Sequence, residues 1–142
     1  MKTLQCVILV LVGITLITTA SAAQKRAATI EFTLVPGVGE GSNSQGDISG
    51  KVKGLARPGG YKIVIYAHTD QWYVQPLAND PYTDIAADGT WSNWTHLGRR
   101  YAVLVVHPAY RPSAKIQVLP KVGGDVIARA EVAARGQRGG AH

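Results

Sequence analysis

The stretch Tyr61–Val106, YKIVIYAHTDQWYVQPLANDPYTDIAADGTWSNWTHLGRRYAVLVV, decides the fold. It holds all three tryptophans and five of the six tyrosines of the chain. Two runs rich in β-branched and aromatic residues bound it, Tyr61–His68 and Tyr101–His107. Successive side chains of a strand alternate. Ile63, Ile65 and Ala67 therefore point one way, and Lys62, Val64, Tyr66 and His68 the other. A strand apolar on much of both faces belongs in the middle of a sheet. Between the two runs, Trp72–Gln75 reads as a short strand stopped by Pro76. Asn79-Asp80-Pro81 reads as a turn, and Thr83–Ala86 as a brief extended piece. Asp88-Gly89 has the signature of a two-residue hairpin turn, since both residues tolerate positive φ. Thr90–Thr95 is then the returning strand, with Trp91 and Asn93 on one face and Ser92 and Trp94 on the other.

Working outward, strand signals continue and helical ones do not. Thr29–Val35 alternates, with Ile30, Phe32 and Leu34 on one face. A Gly- and Ser-rich loop, Pro36 to Gly46, leads to Asp47–Gly54, where the glycines suggest a bulge or a close backbone approach. Arg57-Pro58-Gly59-Gly60 is a turn. After the loop Pro108 to Pro112, Ile116–Leu119 and Asp125–Val132 complete the set. Gly or Pro interrupts most windows long enough for a helix. About eight short strands with frequent turns predict an all-β fold, an antiparallel β-sandwich. The expected domain is 23–134, with a polar, disordered tail over 135–142.

Residues 1–22 read as a secretory signal peptide. Lys2 supplies the positive start, Val7–Ile17 the apolar run, and Ala20-Ser21-Ala22 the small-residue cleavage pattern. An uncleaved anchor needs about 20 apolar residues, more than this run offers. The expected cut follows Ala22 or Ala23 and leaves about 120 residues, enough for one domain with its own core. The expected location is secreted or periplasmic. The lone cysteine, Cys6, lies within the segment, so the exported chain is expected to hold no disulfide.

The formal net charge is +6. The cations are scattered as Lys25 and Arg26, Lys51 and Lys53, Arg99 and Arg100, Arg135 and Arg138, with no basic stripe. That pattern suits solubility and loose attraction to anionic envelopes, not nucleic-acid binding. A monomer without membrane contact after cleavage is the expectation.

Gly50-Lys51-Val52-Lys53-Gly54, Tyr61–Tyr66, Trp72-Tyr73 with Gln75-Pro76, and Asp88-Gly89-Thr90-Trp91 together carry a resemblance. Over about Asp47 to Val132 the chain resembles small accessory modules of bacterial secreted proteins. These modules are often attached to glycoside hydrolases of the cellulase and laminarinase kind. The resemblance implies an immunoglobulin-like or carbohydrate-module-like sandwich outside the cytoplasm and brings no catalytic residue with it.

Trp72, Tyr73, Tyr82, Trp91 and Trp94 form the candidate ligand-binding group, with Gln75, Asn79 and Asn93 as amide partners. Flat rings stack on the apolar faces of sugars, and amides hydrogen-bond their hydroxyls. The same aromatics could instead fill the core. Alternation sends Trp91 and Trp94 to opposite faces, and Trp72 and Tyr73 likewise, so one of each pair is expected inside. Asp80, Asp84 and Asp88 suggest a calcium site or paired acids, against ordinary turn chemistry. His68, His96 and His107 sit at strand ends without ligand spacing. No G-x-S-x-G elbow is present. Asn93-Trp94-Thr95 fits a glycosylation sequon, relevant only in a eukaryotic secretory pathway. No catalytic residue, metal or cofactor is expected. The sequence favours a non-catalytic accessory module with weak polysaccharide binding. The alternative is a structural or protein-interaction sandwich that meets an envelope protein and no small ligand.

Overall fold

A computed structural model of the protein describes residues 27–136. The expected signal peptide, 1–22, and residues 137–142 of the expected tail lie outside the described residues. Nine strands follow in order: β1 Thr29–Leu34, β2 Gln45–Lys53, β3 Lys62–His68, β4 Trp72–Gln75, β5 Tyr82–Asp84, β6 Thr90–His96, β7 Arg100–Val106, β8 Lys115–Ile116 and β9 Val126–Ala133. A single 3-10 turn, Pro58–Gly60, joins β2 to β3.

The strands form two antiparallel sheets. One has the order β1-β2-β6, and the other β8-β4-β3-β7-β9, with β5 also on β3. β4 and β5 lie end to end along one edge of β3: Gln75 is opposite Ile65, and Tyr82 is opposite Val64. Immunoglobulin-type sandwiches place strands A, B and E in one sheet and C, F and G in the other. Here β1, β2 and β6 take the first set, and β3, β7 and β9 the second. Tyr101, near the start of β7, adds the corner feature of such folds. Its buried hydroxyl accepts from Gly98 N–H at 3.0 Å and donates to Gly37 O at 2.8 Å.

The core sits on both faces of the larger sheet. Between the sheets, Ile63, Ile65, Ala67, Tyr101, Val103 and Val105 meet Ile48, Val52 and Trp91. On the opposite face, Val64, Tyr66, Trp72, Val74, Leu104 and Val106 are covered by the segment after β7 through Tyr110, Ile116 and Leu119. Each Val or Ile so enclosed contributes about 1.5–3 kcal/mol. This double cover explains why β3 and β7 read as apolar on both faces. It also corrects one expectation: Ile116–Leu119 is not a full strand. Only Lys115–Ile116 pairs, against Trp72 and Tyr73, and Leu119 plugs the second core.

The Asp88-Gly89 turn is present in a different form. Gly89 N–H donates to Ala86 O at 2.8 Å and Ala86 N–H to Thr90 O at 2.9 Å, so the loop has three residues, 87–89. Only Gly89 has positive φ, at 87°. A type I turn closed by a left-handed glycine meets this requirement. Asp88 stays at negative φ because its carboxylate caps Thr90, at 3.0 Å to N–H and 2.6 Å to the hydroxyl. The flanking strands then part: β5 joins the large sheet and β6 the small one.

Polar contacts close the sandwich along its sides. On the β6 side, Asn93 Nδ2 donates to Thr83 Oγ1 at 2.8 Å, and His96 N–H donates to Gln75 Oε1 at 2.9 Å. On the other side, Arg135 N–H donates to Pro36 O at 2.9 Å, and Gly37 pairs with Arg135 in parallel.

Candidate functional site

The aromatic group separates by face, as alternation requires. Trp91 is buried between the sheets, its ring edge-on to Phe32 with centroids 6.1 Å apart. Trp72 is buried on the opposite side of the large sheet, edge-on to His68 at 4.8 Å. Trp94 is half-buried on the outer face of the small sheet, with the His96 ring at 5.2 Å. Tyr73 is half-buried on the inner side of β4, opposite Ala67. Tyr82 is half-buried too. Its hydroxyl donates to Tyr110 O and receives Arg111 Nη1 at 3.1 Å, which ties down the covering segment.

The amides divide in the same way. Gln75 is 4% exposed. Its Oε1 accepts the His96 N–H and lies 2.9 Å from His96 Nδ1, and its Nε2 donates to Tyr73 O at 3.3 Å. Asn93 uses its Nδ2 on Thr83 and its Oδ1 on the Trp94 N–H at 2.8 Å. Both amides therefore serve the fold first. Asn79 is exposed in the loop between β4 and β5.

Two concavities divide the expected residues. A groove of about 480 Å³ runs between β4 and the end of β6, lined by Tyr73, Gln75, Pro76, Leu77, His96 and Leu97, with Ser42 and Thr69 at its rim. Its lining is mainly apolar with a few polar groups, the mixture that suits small ligands. His96 joins the groove to Trp94 by contact with both. Next to it, a recess lined by Glu40, Gly41, Thr69, Asp70 and Arg99 shares Gly41 and Thr69. The Tyr73 phenol beside Asp70 holds its carboxyl below the ordinary carboxylate value, and the Thr69 hydroxyl at 3.0 Å adds to this. Asp70 in turn raises the Tyr73 phenol. Asp70 is thus an anionic acceptor in the recess beside the groove. The second cleft, of about 730 Å³, lies beside β5 and β6 and takes in Tyr82, Trp91 and Asn93 among hydroxyls of Thr33, Ser49 and Ser92.

The three candidate aspartates do not converge. Asp80 lies in the β4–β5 loop, its N–H bonded to Leu77 O at 3.1 Å, Asp84 pairs with Lys62, and Asp88 caps its turn. The three histidines rest on three different aromatics, His68 on Trp72, His96 on Trp94 and His107 on Tyr61. Among the described residues, no three His, Cys, Asp or Glu side chains are grouped to hold a metal. Two buried polar atoms, Tyr66 Oη and Trp91 Nε1, have no hydrogen-bond partner among the described residues. Burial pushes the Tyr66 phenol far up, with Tyr110 adding to it, so it stays neutral.

Sequence reasoning missed Ser42, Thr69, Asp70, Leu77 and Leu97. They come from loops with no periodicity, and the β3–β4 and β6–β2 arrangements bring them together. Only His96 carried a local signal, two residues after Trp94 and so on the same strand face. Comparison of the chain with family models, curated proteins and solved structures gives no match.

Proposed function

We propose that this protein is an exported, non-catalytic module that holds polysaccharide weakly in the groove between β4 and β6. One observation carries the reading: the half-buried Tyr73 ring lines a mainly apolar groove of about 480 Å³ with Ser42, Thr69 and His96 around it. A sugar ring has an apolar face for Tyr73 and hydroxyls for these groups and for Asp70. One aromatic stack contributes about 1 kcal/mol beyond simple area. Affinity is therefore low, with Kd on the order of high micromolar to millimolar. The dispersal of the aspartates and histidines favours binding over turnover. Export follows from the N-terminal sequence pattern.

Affinity electrophoresis through gels containing soluble β-1,3- or β-1,4-glucan tests this. The protein should be retarded, and Tyr73→Ala should abolish retardation while its melting temperature stays within a few degrees of the original. Trp94→Ala should weaken it less. Absence of retardation on every polysaccharide, or retardation untouched by Tyr73→Ala, would sink the reading. A structural sandwich of the cell envelope is then the better account, a role favoured by the use of Gln75 and Asn93 inside the fold.

A further inference from the structure

The two sides of the sandwich treat their strand edges differently. Along the outer edge of β6, neighbouring groups occupy the main chain. Thr90 O accepts from Ala86, the Trp94 N–H is taken by Asn93 Oδ1, and the His96 N–H by Gln75 Oε1. Such covering prevents pairing with another strand. β9 is also an edge strand, paired only with β7. Ala134 N–H donates to Arg99 O at 3.0 Å, toward β7. Alternate residues of an antiparallel strand direct both main-chain groups to the same side. Ala130 and Val132 therefore face β7, and Arg129, Glu131 and Ala133 turn theirs outward. No hydrogen bond among the described residues caps those three outward groups. The register shift opposite Val105/Val106 bounds this open stretch at one end, and the Arg135–Pro36 bond bounds it at the other.

We propose that this edge pairs with β9 of a second copy, antiparallel and centred on Ala130, to form a two-fold dimer. The register follows from charge. Arg129 and Glu131 lie on the same face, opposite Leu104 and Ala102 of β7. A two-fold pairing centred on Arg129 or on Glu131 sets like charges directly opposite, which is unfavourable. Centred on Ala130, it sets Arg129 of each copy opposite Glu131 of the other. That pair is also the one whose main-chain groups both point across the seam, so each crossing exchanges two N–H···O bonds. Within one copy, Arg129 Nη1 donates to Pro120 O at 3.1 Å and Nη2 lies 3.9 Å from Glu131, whose other carboxylate oxygen pairs with Arg100, so both charges stay at the edge and available to a facing strand. Proline and lysine, common guards of an edge, are absent from β9, and Ala128 and Ala130 present no bulk. The surface is self-complementary, as a two-fold interface must be. This replaces the monomer expected from the sequence.

Sedimentation equilibrium of the purified protein, from about 1 to 200 µM, tests the pairing across the usual range for a modest interface. The unaltered chain should dimerise. Arg129→Glu and Glu131→Arg, each alone, should weaken association by about ten-fold or more, because like charges then meet across the seam. An equimolar mixture of the two variants should recover it, since each supplies the charge its partner lacks. Circular dichroism of each variant checks that the fold is kept. A chain that stays monomeric throughout, single variants that dimerise like the original, or a mixture no more associated than its components each overturn the proposal.

Discussion

Gly50 shows how one missing side chain arranges a core. It sits between Phe32 and Trp91 in register across the small sheet, and the two rings meet edge-on in that row. A Cβ there would lie 2.1 Å from Glu31 O and 2.5 Å from the Trp91 ring. One of these contacts is main chain, so the site cannot relax by moving a side-chain tip. Gly50→Ala should cost about 3 kcal/mol and lower the melting temperature by roughly 10 °C or more, read by thermal unfolding. An unchanged melting temperature would refute this account. The glycine pattern in 50–54 signalled a close approach in the sequence, and alternation separated Trp91 from Trp94. What could not be read was where the amides of Gln75 and Asn93 go. Their partners, His96 and Thr83, lie 21 and 10 residues away and are set by sheet stacking, which local pattern does not encode.

At the scale of the element, the β5–β6 turn shows a local signal joined to a non-local outcome. Asp88-Gly89 was legible as a turn, yet the strands beside it enter different sheets. The deciding contact is distant: Val52 N–H donates to Gly89 O at 2.8 Å, which fastens the turn to β2. The carboxylate of Asp88 is held below its ordinary value by the Thr90 hydroxyl, then by the Thr90 N–H, with Lys51 nearby. Because the folded state lowers this pKa, the cap stabilises fully above the ordinary value of 3.8 and is lost as pH falls through the folded value. Asp88→Asn keeps an acceptor that does not titrate. Urea unfolding at pH 5 and again near pH 2 should therefore show a larger loss for the original chain than for Asp88→Asn. Equal losses would show that this carboxylate does not anchor the turn. The same tension between local and distant explains the short β8: of the strand-like run Ile116–Leu119, Ile116 and Leu119 go to a core, Val118 stays exposed, and the main chain goes mostly to a loop.

Across the whole molecule, the large sheet is the central layer of three. The small sheet covers one face, and the segment after β7 covers the other. That segment therefore belongs to the cooperative unit although most of it is irregular. Leu119→Ala should cost about 2–4 kcal/mol, with a single unfolding transition shared by all probes. A loss below about 1 kcal/mol would mean the cover is an ornament. The nearly nine-stranded layout was foreseeable from turn spacing and alternation, while the third layer was not, because an irregular segment has no period to read. The parallel contact of Gly37 with Arg135 has one more consequence. The segments that continue the first described strand and the last, at Gly37 and Arg135, meet in the same direction beyond the ends of both strands, so one strand enters at one pole of the sandwich and the other leaves at the opposite pole. Tension applied between the two ends acts along the strands. It loads the β1–β2 and β7–β9 ladders in shear, where many hydrogen bonds share the force, and does not peel them apart one by one.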